Sequence, residues 1–154
     1  MRLLIQRVKK ATLTVDNLPV GSIGQGMVVL VGIGKQDNEE DIEEMARKVL
    51  TLRIFNDQNN KMNLSLLQTG GKLIVVSQFT LYGDCSAGCR PDFTQAAEAS
   101  IALPLYEKFV AKLKEKVPDL VSGSFGSYMV VEIHNDGPVT VYLQSPRERI
   151  SPNL

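Results

Sequence analysis

The stretch KLIVVSQFTLY, Lys72–Tyr82, constrains the fold more than any other in the chain. Its first half is continuously apolar, and a strand without polar alternation must be covered on both faces, so it predicts a central strand within a layered domain. The second half breaks the pattern. Ser77, Gln78 and Thr80 place three hydrogen-bonding side chains around Phe79. A buried polar group costs free energy unless it is paired, so this cluster is either satisfied by neighbouring strands or lines a pocket.

The flanking segments supply the other layers. LLIQRVKKATLTV and GMVVLVGIG are rich in β-branched residues and are separated by the turn-rich DNLPVGSIGQG, which predicts two or three antiparallel strands at the start. Asn38 caps a predicted helix in which Ile42, Met45, Ala46, Val49 and Leu50 recur at helical spacing, with Glu39, Glu40 and Asp41 in the first turn where they suit the dipole. NDQNNKMN reads as a polar loop, and a loop of Gly, Cys, Arg and Pro runs from Gly83 to Phe93. Leu105, Tyr106, Phe109, Val110 and Leu113 form the stripe of a second helix, with Pro104 in its first turn and Lys112, Lys114 and Lys116 near its end. SGSFGSYMVVEIHN and PVTVYLQS complete the chain as a strand pair. The order β-β-β-α-β-α-β-β predicts one α/β domain with two main helices and a mixed, largely antiparallel sheet.

Between those last strands stands NDGPVT, Asn135–Thr140. Proline has no N–H for a ladder and fixes φ, so Gly137 and Pro138 either make an ordinary turn or aim backbone carbonyls at something useful. Turn chemistry is the commoner use of such residues.

Composition narrows the function classes. A chain of 154 residues suffices for one core without disulfides or metal. No apolar run approaches the ~20 residues of a membrane span, and the first residues break into charge rather than forming a secretory leader. A cytosolic protein is expected. Seventeen basic and seventeen acidic side chains cancel, which removes the field needed to grip long nucleic acid but permits contact with a nucleic-acid end. Cys85 and Cys89 in CSAGC have neither zinc-ribbon nor CxxC spacing, so no metal site is expected. His134, the single histidine, reads better as a strand residue with a satisfied hydrogen bond than as a catalytic base. There is no GxxxxGK[ST], GxGxxG or HExxH motif, GSIGQG and GSFGS read as turns, and no carboxylate pair presents itself. An enzyme of this composition takes its chemistry from backbone dipoles or from its substrate.

SQFTLYGD followed by NDGPVTVYL, with IQRV at the start and GSFGSYM between, closely resembles the D-aminoacyl-tRNA deacylases of the bacterial and eukaryotic type. The likeness extends over essentially the whole chain. It implies a single deacylase domain over residues 1–154, a barrel-like sheet, a homodimer, a cytoplasmic enzyme and no cofactor. The implied reaction is hydrolysis of the ester joining a D-amino acid to the 3′ end of tRNA, and glycyl-tRNA also enters such a site.

The resemblance assigns residues as well. Ser77, Gln78, Phe79 and Thr80 form the catalytic pocket, with the Phe79 and Thr80 amides facing the oxyanion and the terminal 2′-hydroxyl assisting the attacking water. Gly137 and Pro138, joined by a cis bond, cover the partner subunit's pocket and exclude an L side chain, with Val139 and Thr140 beside them on the substrate. Arg7 props the Gly-Pro loop, or is a surface charge at a strand end. Phe125 and Met129 line the place of the terminal adenosine, or belong to the core. The CSAGCRPDF loop departs from the family pattern, and the role of its cysteines is open. Two other readings remain: a non-catalytic nucleic-acid-binding module, and a small-molecule esterase using Thr80 as nucleophile.

Overall fold

The computed structural model describes residues 1–150. Its central element is β1, Arg2–Val15, which is paired along both edges. One edge carries β3 (Gly26–Gly32) against its first half and β2 (Leu18–Ile23) against its second, both antiparallel. The β1–β2 turn uses Asp16 and Asn17, both at positive φ (47° and 65°), the conformation that asparagine and aspartate tolerate best after glycine.

The apolar run at 72–82 divides where its chemistry divides. β6, Lys72–Ser77, lies between β3 and β7 (Val121–Ser122) and is parallel to both, so the sheet is mixed and barrel-like. Leu73 and Val75 join the core beneath the helices, whereas Ile74 and Val76 join a second cluster with Val8, Ala11 and Leu13. Both faces of β6 are covered, as its uninterrupted apolarity requires, and each such side chain withdrawn from water contributes about 2 kcal/mol. The ladder stops at Ser77, and Phe79–Tyr82 form a 3-10 turn.

Helix α1, Glu39–Thr51, starts at the expected cap. Asn38 accepts from the amides of Glu40 and Asp41, and the Asp41 carboxylate reaches back to the Asn38 amide, closing a capping box. Its buried face is the predicted stripe. The polar segment that follows is not wholly loop: β4 (Phe55–Asn56) and β5 (Met62–Leu64) pair as a short hairpin, whose turn is held by Asp57 accepting from the Asn59 and Lys61 amides. A short helix α2, Leu66–Thr69, leads into β6. Helix α3, Ala99–Lys114, begins earlier than expected, which places Pro104 inside the helix rather than in its first turn. Tyr106, Phe109, Val110 and Leu113 bury its stripe.

The largest departure from expectation is at the end. The two segments around NDGPVT are not a hairpin pair but one strand, β8, Met129–Gln144, followed by helix α4, Pro146–Ile150. Both halves of β8 pair antiparallel with β1, with Gln6 opposite Thr140 and Val8 opposite Asn135. Arg7 alone therefore faces the four residues Asp136–Val139, and the turn residues make an excursion within a strand instead of reversing the chain.

Met1 is fully buried, and its ammonium pairs with Asp37. Asp37 also accepts from the Gly34 amide (2.6 Å) and the Ser145 hydroxyl (3.0 Å), tying the end of β3 to the end of β8. Replacing Asp37 with alanine takes from the buried cation its nearest carboxylate, leaving the Ser145 hydroxyl at 2.8 Å and the Glu148 carboxylate at 3.7 Å. Urea unfolding of Asp37→Ala is expected to show a loss of about 3–5 kcal/mol, and a loss below 1 kcal/mol would refute this account of the anchor.

Candidate functional site

The site is built where β6 ends. The Gln78 amide donates to the Val31 carbonyl (2.7 Å), one last bond beyond the strand, before the chain turns into Phe79–Tyr82. Tyr82 anchors this turn. Its ring is buried under the Arg2 guanidinium (4.3 Å to the centroid), and its hydroxyl bonds the Glu148 carboxylate (3.1 Å). Burial, with Asp37 and Glu148 nearby, holds the phenol far above its ordinary range, so it remains a neutral donor. A Cβ on Gly34 would stand 2.5 Å from the Tyr82 oxygen, which is why the chain has glycine there.

With the turn pinned, the amides of Phe79 and Thr80 are its first donors and have no acceptor among the described residues. The Gln78 side-chain amide donates to the Thr80 hydroxyl. Phe79 is 58% exposed and meets Phe93 edge-on, with ring centroids 5.1 Å apart. Polar residues close an apolar strand here because they lie beyond its ladder.

Beside the turn lies a cavity of about 420 Å³ walled by Ser77, Gln78, Phe79, Phe125, Tyr128 and Met129. The structure thus brings together Ser77, Gln78 and Phe79 with Phe125 and Met129, which the sequence left divided between pocket and core. Phe125 serves both, since its other side packs on Tyr106 at 5.9 Å. Tyr106 is itself fixed by donating to the Val75 carbonyl (3.0 Å), and burial raises its phenol well above the usual value. Thr80 is exposed and lies outside the lining. Tyr128, a wall residue that sequence reasoning missed, is 69% exposed. Its position next to SFGS was the available signal.

Arg7, Gly137, Pro138, Val139 and Thr140 form a separate group that does not line this cavity. Arg7 is not a surface charge: it is 6% exposed, with its Nε and Nη1 engaged. Its guanidinium donates to the Ile54 carbonyl (2.6 Å), the Asn56 side chain (3.2 Å) and the Asp136 carbonyl (3.1 Å), and it pairs with the Asp136 carboxylate at 3.3 Å. The Gly137–Pro138 bond is cis, and both residues are exposed. Gly137 has φ +118°, and a Cβ there would stand 2.9 Å from the Val139 side chain and 3.0 Å from Arg7, so only glycine fits. The Thr140 hydroxyl bonds Gln6 across the ladder (2.5 Å).

The remaining candidates lie elsewhere. His134 is exposed on β8 opposite Lys10, outside the cavity and without a side-chain hydrogen bond among the described residues, unlike the satisfied strand histidine expected. Cys85 and Cys89 are free thiols on an exposed loop whose base is closed by the Asp84 and Asp92 backbones (2.8 Å). No helix among the described residues is long and apolar enough to cross a membrane.

Comparison with known proteins identifies the family of the chain. The profile of the family described as D-Tyr-tRNA(Tyr) deacylase matches residues 4–144. A D-aminoacyl-tRNA deacylase of Thermosipho africanus (strain TCF52B) is 51% identical over 96% of this chain and 99% of its own length. One from Clostridioides difficile (strain 630) is 50% identical over the same shares. Among solved structures, one described as c-Myc DNA Unwinding Element Binding Protein superposes with a TM-score of 0.88 at 39% identity, covering 95% of this chain and 99% of that one. Another, described as a probable eukaryotic D-amino acid tRNA deacylase, has a TM-score of 0.80 at 19% identity over 92% and 97%, a likeness of fold. The chain belongs to the D-Tyr-tRNA(Tyr) deacylase family, hydrolases of the ester bond that joins a D-amino acid to tRNA.

Proposed function

We propose that residues 1–154 act as one deacylase domain in a cytoplasmic homodimer, in which Gly137 and Pro138 of each subunit cover the Ser77–Thr80 pocket of the other. The observation that carries this reading is the separation of two halves of a site within one chain. A cavity with two unpaired amides stands at the end of β6, and an exposed Gly-Pro excursion, braced by a buried arginine, stands outside it. The backbone carbonyls of the excursion accept from the substrate's α-ammonium group. They leave room for a hydrogen or a D side chain and none for an L side chain, so glycyl-tRNA is also a substrate. Selection by exclusion suits backbone atoms, which no side-chain change can trim.

The terminal adenosine lies against Phe125 and Met129, where stacking on an aromatic ring contributes about 1–3 kcal/mol. The Phe79 and Thr80 amides face the carbonyl oxygen as it gains charge, a few kcal/mol per donor in a site of fixed dipoles. The terminal 2′-hydroxyl of the tRNA assists the attacking water. Val139 and Thr140 flank the bound amino acid, and Arg7 acts through the excursion rather than on the substrate. The Thr80 hydroxyl accepts from Gln78 outside the cavity lining, which supports a positioning role over a nucleophilic one.

A second reading, nucleic-acid binding without hydrolysis, is favoured by one observation, the DNA-binding description of a solved relative. The balanced charge of the chain weighs against it.

The decisive experiment is deacylation of D- and L-tyrosyl-tRNA, each with the terminal 2′-hydroxyl present or replaced by hydrogen. Hydrolysis of the D ester alone, abolished by the 2′-deoxy substitution, is the expected result. Equal hydrolysis of both isomers, or binding with no turnover, would overturn the reading. Thr80→Val is expected to keep activity within about tenfold, because it removes no oxyanion donor; complete loss would identify a threonine nucleophile. Arg7→Lys keeps the charge but cannot span Ile54, Asn56 and Asp136 together. Its kcat/KM on the D ester is expected to fall at least about tenfold, as small misplacements do, and an unchanged value would remove Arg7 from the site.

A further inference from the structure

Leu103, Glu107, Val110 and Lys114 recur along one side of α3, and that side walls a second cavity of about 430 Å³. The opposite wall is Ser122–Phe125. Phe125 belongs to both cavities, so its ring is the partition between this space and the catalytic pocket. A second link joins them: Ser127, on the wall of the first cavity, bonds through its hydroxyl to the Ser124 hydroxyl of the second (3.1 Å).

The charges of this cavity are uncommitted. Lys112, two residues before Lys114, pairs with Glu43 (2.9 Å) and Glu115 (3.4 Å), and Lys72 and Lys108 pair with Asp119 and Glu39. Lys114 and Glu107 have no ion pair among the described residues. They stand two helical turns apart, about 10 Å along one face. One end of the helical wall therefore offers a cation and the other an acceptor, with Val110 between them and the Ser122 hydroxyl in the lining.

A single-stranded 3′ end whose last base rests against Phe125 has to place its next nucleotide past that ring. We propose that the second cavity seats the penultimate nucleotide of the tRNA acceptor strand, a cytidine, with the Lys114 ammonium on the phosphate that joins it to the terminal adenosine and the Glu107 carboxylate accepting from its exocyclic amine. The proposal rests on the placement of the terminal adenosine beside Phe125. A carboxylate accepting from the cytosine amine is an established base contact, and uridine, with a carbonyl at that position, has no donor to offer it. The arrangement reads the part of tRNA common to all acceptors, in keeping with a chain that has no net charge for gripping the remainder.

The test compares hydrolysis of D-tyrosyl esters of adenosine, of cytidylyl-adenosine and of uridylyl-adenosine, together with whole D-tyrosyl-tRNA. Wild-type enzyme is expected to show a KM about tenfold lower for the cytidylyl dinucleotide than for adenosine alone. Lys114→Gln is expected to raise KM for the dinucleotide and whole tRNA about fivefold, leave the adenosine ester unchanged, and reduce the salt slope for whole tRNA by about 0.7. Lys114→Arg restores the wild-type values. Glu107→Gln removes the preference for cytidylyl over uridylyl, and Lys116→Gln, outside the cavity, changes nothing. Equal KM values for adenosine and the dinucleotide in the wild type, or a Lys114→Gln effect that is equal on both esters, would overturn the proposal. Absence of turnover on every ester and on tRNA is a separate outcome, which overturns the deacylase reading itself and this inference with it.

Discussion

Strand β1 carries hydrogen bonds along both edges, and the break in its pairing with β8 at Arg7 holds the architecture and the candidate site together. A guanidinium at 6% exposure has to satisfy its donors inside the protein, since an unpaired buried charge is among the costliest defects a fold can carry. Arg7 does so with the Ile54 carbonyl, the Asn56 side chain and the Asp136 backbone and carboxylate. Two chain segments distant in sequence are thereby fastened to one residue. Opposite it, β8 takes four residues to cover the distance β1 covers in one, and these four include Gly137 and Pro138. The excursion exists because β8 resumes pairing with the same strand at Thr140.

The second fixed point is Tyr82. The apolar strand β6 delivers the chain to its end, and the buried phenol, packed where Gly34 leaves room for its ring, holds the 3-10 turn that follows. A pinned turn keeps its first amides in place without acceptors of their own. Both halves of the proposed site thus present main-chain groups on rigid supports: N–H groups at the end of β6, and the exposed Gly-Pro backbone on β8. On the proposed reading, a chain with a single, remote histidine and no carboxylate pair in its cavity draws on preorganised dipoles for ester hydrolysis. Phe125 lines two cavities, and Lys114 and Glu107, without ion pairs among the described residues, stand on the wall of the second.

Much of this was legible from residue patterns. The continuous apolar run of 73–76 needed cover on both faces and received it, and Asn38 with Asp41 specified the start of α1 through bonds spanning three residues. The polar cluster after Ser77 marked the end of a ladder. Two expectations failed, and one choice stayed open, for a shared reason. NDGPVT has turn chemistry, but whether a turn reverses the chain depends on what the next segment pairs with, and that partner, β1, lies more than a hundred residues away. Arg7 looks the same in sequence whether buried or exposed, because its acceptors come from Ile54, Asn56 and Asp136. Pro104 fell inside α3 because the helix begins at Ala99, five positions before it.

The sequence by itself determined the class of fold, the cap of α1, the stripes of the two long helices, the central strand and the family, through two short motifs in order. Those features depend on contacts a few residues apart or on periodicity along one element. Tertiary structure alone decided that β8 is one strand, that Arg7 is a buried brace, that Phe125 stands between two cavities and that the Gly-Pro excursion lies apart from its own chain's pocket. Each of these is set by which distant segments meet, and burial, pairing and cavity walls are properties of that meeting rather than of any one stretch of residues.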